Sequence, residues 1–330
     1  MKVVVDAEYQ HEFCCEGNES WYFSFHNTDK RLIFLHFCTM RTYPSKLLLF
    51  GEHVLLLGAS ALAIPLHRFS ASWQPEGKPL PANILAKLRI FANSTYLSNV
   101  SHLDAALFAS ELENGLSLQS DIPVGYGLGS SGALCAAVYD RYCSEKTDDL
   151  SALKSVFSNM ESFFHGSSSG IDPLTSYLNQ PLLIRNKSDV FVAGQSAWSD
   201  KPYMFLLDTG LPRQTGLLVN WFLEQSRPGG LLESVLENYI QAHEQTVRAW
   251  LSAEYQLFFE NLNAVSRLQL EYFTPMVPAN MRELWEAGLD SGKYTLKICG
   301  AGGGGFMLGF CKNPDDIAGL NDRFPLITNL

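Results

Sequence analysis

The chain has 330 residues, 46% of them hydrophobic and 18% charged, with a formal net charge of −10. That is the composition of an ordinary soluble globular protein, long enough for two domains around a large core. Its acidity argues against a broad nucleic-acid surface and leaves room only for a local anion site.

The seven cysteines (Cys14, Cys15, Cys38, Cys135, Cys143, Cys299 and Cys311) show no paired CxxC spacing. This reads as reduced thiols in a cytoplasmic protein and as no zinc site. No stretch reaches the roughly 18 clean apolar residues that a membrane span requires. The longest candidate, residues 46–66, carries Lys46, Glu52 and His53, and "RLIFLHFC" at 31–38 is too short and lacks a cleavage site after it.

Residues 1–40 have no sustained period and read as an extension outside the fold, or as sequence ahead of a true start at Met40; an ordered edge strand is the alternative. From Arg41 the pattern becomes regular. "KLLLF" (46–50) and "ALAIPL" (61–66) read as buried strands around a Gly-Glu-His turn, and "ANILAKLRIFAN" as a helix. "GLSLQSDIP" alternates as a strand does and runs straight into "GYGLGSSGALCAAVYDRY" (125–142), where a glycine-rich loop opens a helix. "LLIRN" and "YMFLLDTG" are strands. Residues 215–288 are mostly helical, and "YTLKICG", "GAGGGG" and "FMLGF" follow. The composition shifts near 185–200, which sets the expected domains at 41–190 and 191–330.

Strand, glycine loop and helix in this order make an anion site. Glycine lets the backbone take positive φ and approach a ligand, and the unpaired N–H groups of the first helical turn point at the anion. Ser130 and Ser131 add hydroxyls for phosphate or magnesium. The spacing is neither a Walker A loop, which needs GK[ST], nor a dinucleotide fingerprint: Gly125, Gly127 and Gly129 alternate as G-x-G-x-G. A ligand-free strand-to-helix connection is the bland alternative.

Four segments in order carry a resemblance. "PVGYGLGSSGA" resembles the phosphate-binding motif of the GHMP kinase superfamily. "SKLLLFGEHVLLLGASALAIPL", with four residues between Lys46 and Gly51, is similar to the amino-terminal motif of mevalonate kinases. "ESFFHGSSSGIDP" is similar to their E-x-x-x-H-G-x-x-S-G-x-D segment, and "KICGAGGGGFMLGF" to the carboxyl-terminal glycine motif. "DTGLPRQTGLLV" is a weaker match to the K-V-P-R-x-T segment. The likeness spans about residues 46–310, and the arginine-containing sugar signature of galactokinases is missing. Two positions depart from the family pattern: Gly132 stands for the usual alanine after the paired serines, and Ser168 for the usual proline.

The resemblance implies an α+β fold: an amino-terminal domain of sheet and helices carrying the phosphate loop, and a ferredoxin-like carboxyl-terminal domain, with the site in the cleft between them. It implies an ATP- and Mg2+-dependent kinase acting on the primary hydroxyl of mevalonate, in isoprenoid precursor synthesis. Residue by residue, it makes Asp172 the base that accepts the hydroxyl proton and Lys46 the cation beside it. Gly125, Tyr126, Gly127, Leu128, Gly129, Ser130 and Ser131 would hold phosphate, and Ser131 with Glu161 the metal. Glu52, His53 and Thr215 would face the substrate, His53 through the mevalonate carboxylate or hydroxyl. Gly300, Gly302, Gly303 and Gly304 would close the site over phosphate, while His165 is left structural. Read without the resemblance, Asp172 is as well a helix cap, Glu161 a solvated helix residue and Lys46 a surface lysine. Phosphomevalonate, a sugar or homoserine are the alternative acceptors, and a non-catalytic binding protein of this fold is the alternative class. The few Arg and Lys near the motifs disfavour a phosphorylated acceptor. A small-molecule substrate is the expected partner, and a homodimer is left open.

Overall fold

The computed structural model describes residues 41–75, 79–194, 198–213, 215–328 and 330, together with the backbone of three strands ahead of them. Those strands, β1 (Phe13–Glu16), β2 (Glu19–Ser24) and β3 (Ile33–Leu35), form an antiparallel sheet of their own.

The first main sheet begins with β4 (Thr42–Phe50) and β5 (Ala61–Gln74), joined through the Gly-Glu-His turn and a short 3-10 segment at Val54–Leu57. Three helices follow: α1 (Ala82–Ala92), α2 (Thr95–Ser98) and α3 (Ala105–Glu113). Then come β6 (Ser117–Ser120), the glycine loop, α4 (Ser130–Tyr142), α5 (Leu150–His165) and α6 (Ile171–Leu178), and the hairpin of β7 (Leu182–Arg185) and β8 (Asp189–Val192). All pairs are antiparallel in the order β4-β5-β7-β8, with β6 paired to the far end of the long β5. Helices α4 and α6 pack on β4 and β5. Small residues make this close fit: α4 buries Gly132, Ala133, Cys135, Ala136 and Ala137.

The second sheet takes β9 (Tyr203–Asp208), then four helices, α7 (Thr215–Gln225), α8 (Leu236–Leu251), α9 (Tyr255–Tyr272) and α10 (Ala279–Ser291). It ends with β10 (Tyr294–Ile298), β11 (Phe306–Cys311) and β12 (Leu326–Ile327). The spatial order β10-β11-β9-β12 is antiparallel throughout. Numbered within this half it is 2-3-1-4, the order of a ferredoxin-like sheet. The first crossover is swollen to four helices, and the second is reduced to two 3-10 turns at Pro314–Ile317 and Leu320–Asp322.

The two halves share a hydrophobic core. Phe50, at the end of β4, stacks on Phe310 of β11 with centroids 6.1 Å apart and planes 10° apart. Its edges meet Trp250 and Phe258, each at 6.1 Å, from α8 and α9. The Gly-Glu-His turn that follows Phe50 is thereby pinned against the second half.

Because β1–β3 pair with one another and with no described strand of either main sheet, a chain beginning at Met40 is expected to keep its melting temperature. Thermal unfolding of the two forms side by side checks this; a collapsed or broadened transition in the shorter one would make the segment integral.

Candidate active site

The glycine loop is shaped by three left-handed residues, Gly125, Gly127 and Gly129, at φ 85°, 74° and 74°. Gly129 is the N-cap of α4, so Ser130 and Ser131 occupy its first turn, where backbone N–H groups lack helical acceptors. The loop is tied to β4 by the Lys46 amide, which donates to the Leu128 carbonyl at 2.8 Å.

That bond brings the Lys46 side chain to the mouth of the loop. Its Nζ lies 2.6 Å from Asp172 Oδ1, with Lys46 one-tenth and Asp172 about a quarter exposed. Asp172 is not the cap of α6; Gly170 is, and Asp172 stands in the first turn, where the helix dipole favours a carboxylate. Gly132 explains how α6 comes so near. A Cβ there would lie 2.7 Å from the Asp172 carbonyl carbon and 2.8 Å from Pro173 N. The usual alanine would force α4 and α6 apart, so this departure from the family pattern sets the seating of Asp172.

Glu161 sits on the buried face of α5 with Leu153, Phe157 and Met160. Ser131 Oγ donates to its Oε1 at 2.9 Å, and Ser168 Oγ to its Oε2 at 2.5 Å. Ser168, the second departure, therefore replaces a proline with a hydrogen bond to the carboxylate. His165, one turn after Glu161, places Nε2 2.9 Å from Ser131 Oγ. Expected to be merely structural, it instead touches the paired serines and lines the cavity. Burial, and then the neighbouring Asp172 charge, push the Glu161 carboxyl up to about 7. Two carboxylates share one lysine here, and a divalent cation would relieve that strain. The donors, a serine hydroxyl and a carboxylate, are the hard oxygens magnesium prefers, and the residues fit it. Among the described residues no cluster of three or more His, Cys, Asp or Glu is arranged to hold a metal ion.

A cavity of about 470 Å³ joins these groups; it is lined by Lys46, Leu48, Gly127, His165, Asp172, Arg213, Cys299 and Gly300. Arg213, between β9 and α7, went unnoticed in the sequence although it lies inside the weakly matching segment. Thr215 opens α7, and its side chain lies outside the described residues.

Glu52 does not serve as expected. Its Oε1 accepts from Lys297 Nζ at 2.5 Å, and both side chains are 1–2% exposed. It is consumed by an ion pair between the two halves, so the expected substrate contact gives way to a structural one. Burial, opposed by Lys297, raises the Glu52 pKa. Lys297 also donates to the Ile298 carbonyl at 2.8 Å and lies 5.7 Å from the Phe50 ring centroid. A lysine in the middle of the apolar run "YTLKICG" was the signal in the sequence for this pair.

His53 is the centre of a tight turn, at φ 63° and ψ −48° with the Val54 amide donating to the Glu52 carbonyl at 2.7 Å, and its Nε2 is 3.1 Å from the Ala301 carbonyl. A carbonyl only accepts, so Nε2 carries the proton, and the buried Nδ1 is a lone pair without a partner. Burial lowers the His53 pKa to about 4. The ring is neutral at physiological pH, and His53 is buried outside the cavity lining, next to the Phe222 ring at 5.1 Å.

The second glycine run divides. Gly300 lines the cavity. Gly302 packs on Met276, Gly303 donates to the Met276 carbonyl at 2.7 Å, and Gly304 abuts the Pro212 carbonyl. These three make their contacts inside the second half, and of the four glycines Gly300 alone lines the cavity.

Comparison with known proteins bears on the fold and the class of the protein. The profile of the GHMP kinases N terminal domain matches residues 101–180, and that of the GHMP kinases C terminal region matches 253–324. A mevalonate kinase of Archaeoglobus fulgidus is 26% identical over 82% of this chain and 91% of its own length. One from Thermococcus gammatolerans is 25% identical over 80% of this chain and 86% of its own. Among solved structures, L. major mevalonate kinase in complex with R-mevalonate superposes with a TM-score of 0.61 at 18% identity, covering 87% of this chain and 92% of that one. Lactococcus lactis galactokinase complexed with galactose gives 0.59 at 15% identity, over 85% and 87%. The chain thus matches both GHMP kinase domain models, the N terminal one in its first half and the C terminal one in its second. By class it is an ATP-dependent phosphotransferase with an alcohol acceptor.

The Glu52–Lys297 pair makes a stability prediction. Glu52→Gln leaves a buried ammonium without its counter-charge, which typically costs about 3–5 kcal/mol. The Glu52→Gln, Lys297→Met double variant is expected to recover most of that loss in denaturant unfolding. Equal losses in the single and double variants would show that the pair contributes nothing as a pair.

Proposed function

We propose that the protein transfers the terminal phosphoryl group of ATP to the primary hydroxyl of mevalonate, with Asp172 and Lys46 at the reacting atoms. The observation that carries the chemistry is the 2.6 Å Lys46–Asp172 pair at the foot of the phosphate loop, inside one cavity with Gly127 and Gly300. The acceptor rests on the relatives named mevalonate kinase, which match over four-fifths of the chain. The cavity lining among described residues holds two permanent cations, Lys46 and Arg213. That suits a carboxylate-bearing acceptor better than one already carrying a phosphate.

In this reading the loop amides of Gly125–Ser131 and the first turn of α4 hold the nucleotide phosphates by backbone donors. Asp172 has one oxygen on Lys46 and the other available to accept the proton of the acceptor hydroxyl as the oxygen attacks. Lys46 holds the Asp172 carboxylate in place and counters the charge that develops on the transferred group. Ser131 and Glu161 would hold magnesium, which when bound neutralises phosphate charge during transfer. His53 is kept near the acceptor on the resemblance alone; it is buried and is not among the residues that line the cavity.

The test of the acceptor is ATP consumption over mevalonate, phosphomevalonate, galactose and homoserine. Turnover with mevalonate is expected to exceed the others by orders of magnitude; a preference for any other acceptor replaces it, and no turnover with any of the four removes the catalytic reading.

The chemical step is tested separately. Asp172→Asn keeps the shape but removes the base, and turnover is expected to fall about 100- to 10,000-fold with little change in ATP affinity. Because the pair acts as a unit, adding Lys46→Met should cost much less than the product of the single losses. Turnover of Asp172→Asn within a few-fold of the parent would leave Asp172 a packing residue.

A further inference from the structure

We infer that Ser168 is a positioning residue for magnesium: its hydroxyl fixes the Glu161 carboxylate and ties it to the helix that carries Asp172. The inference deepens the kinase reading above and rests on it.

Ser168 lies in the turn between α5 and α6, at the position where the family pattern has proline. A proline side chain offers no hydrogen bond there, whereas the hydroxyl of Ser168 is used twice. The Gly170 amide donates to its Oγ at 3.0 Å, and Oγ donates to Glu161 Oε2 at 2.5 Å. The direction follows from the groups. An amide N–H can only donate, and a carboxylate that ligates a metal is ionised and can only accept. The single hydroxyl proton therefore points at Glu161. The Ser168 backbone is fixed as well, because its carbonyl accepts from Ser158 Oγ of α5 at 2.6 Å.

The far side of this bridge is set by backbone packing. Gly170, the N-cap of α6, presses so closely on α5 that a Cβ would stand 2.4 Å from the Lys154 carbonyl oxygen and 2.8 Å from the Ser158 amide nitrogen. Asp172 follows two residues later, in the first turn of α6. One hydroxyl thus links the start of the helix that bears the proposed base to the carboxylate proposed for the metal.

Glu161 needs such a link because the terminal torsion of a glutamate is broad. Two bonds resist its rotation: Ser131 Oγ on α4 holds Oε1 at 2.9 Å, and Ser168 holds Oε2. They are not equivalent. Ser131 is itself a proposed metal donor, and its oxygen is also 2.9 Å from His165 Nε2. Of the two bonds, the one from Ser168 is the one that survives a turn of Ser131 toward a cation. Hydrogen bonds of this kind orient ligating carboxylates, and losing one typically weakens metal binding about 10- to 100-fold.

The experiment measures ATP affinity by calorimetry, once with magnesium in excess and once in EDTA, for the parent, Ser168→Ala and Ser168→Thr. Melting temperatures and steady-state rates are taken alongside. In Ser168→Ala the gain in ATP affinity that magnesium brings is expected to shrink about tenfold, with affinity in EDTA changed by less than about twofold. KM for magnesium-ATP should rise about as much, with kcat within about threefold of the parent. Ser168→Thr keeps the hydroxyl and should restore the parent's magnesium effect. Equal losses with magnesium and in EDTA, or a fallen kcat with the magnesium effect intact, would overturn the inference and leave Ser168 a link in the turn between α5 and α6. A parent protein that binds ATP equally well with and without magnesium would instead overturn the metal assignment of Ser131 and Glu161. One that binds no ATP would defeat the kinase reading itself.

Discussion

A loop built to offer bare backbone to an anion cannot hold its own shape. Gly125, Gly127 and Gly129 carry no side chains to pack, and each has a left-handed φ that other residues rarely take. The rest of the structure supplies what the loop lacks. The Lys46 amide holds the Leu128 carbonyl from the first sheet, and Arg213 holds the Tyr126 carbonyl from the second half. Asp208 and Phe306 hold the Tyr126 side chain. Two of these tethers end in charged side chains that line the cavity. Positioning the loop and arming the site are therefore the same set of contacts.

The seam between the halves follows from this constraint. If the loop takes its shape from both, their relative placement must be fixed to fractions of an ångström. Apolar packing around Phe50 gives adhesion, but aromatic clusters tolerate sliding. The Glu52–Lys297 pair does not: its geometry is short and its members almost wholly buried. Replacing such a pair with apolar residues often costs nothing in stability, whereas mispairing it costs much. Its value here is registry. Glu52 follows β4, which carries Lys46 and Leu48, and Lys297 lies two residues before Cys299, so the pair joins two segments that contribute to the cavity lining.

How much of this was legible in the sequence depends on the kind of signal. The phosphate loop, the Lys46 strand and the order of the motifs were readable, because glycine alternation and apolar runs report local backbone needs. Asp172 and Glu161 were readable only through the motif that contains both; alone, each has an ordinary surface explanation. Glu161 did leave one local trace, since it occupies the apolar stripe of α5 with Phe157 and Met160. Glu52 was misassigned because a charged residue in a turn says nothing about which distant strand holds its partner; Lys297 is 245 residues away. Arg213 was missed for the same reason: the carbonyls it bonds, those of Tyr126 and Cys299, are 87 and 86 residues away. Ferredoxin-like strand order was expected from resemblance, while the swelling of its first crossover and the loss of its second helix have no periodic signature.

Charge balance in the cleft gives the last step. Asp172 and Glu161 stand near enough for one to raise the other's pKa, and Lys46 compensates one of them. Adding a polyphosphate to that arrangement would deepen the negative charge and repel both carboxylates. Two features counter it. The hard oxygens of Ser131 and Glu161 suit a divalent cation, and Arg213 is a cation bonded to two carbonyls. Ser131 and Glu161 lie at the first turn of α4 and on α5, and the Arg213 guanidinium is held against the loop from the carboxyl-terminal half. In the proposed reaction a phosphate between them would meet positive charge from both halves, with Asp172 held beside Lys46.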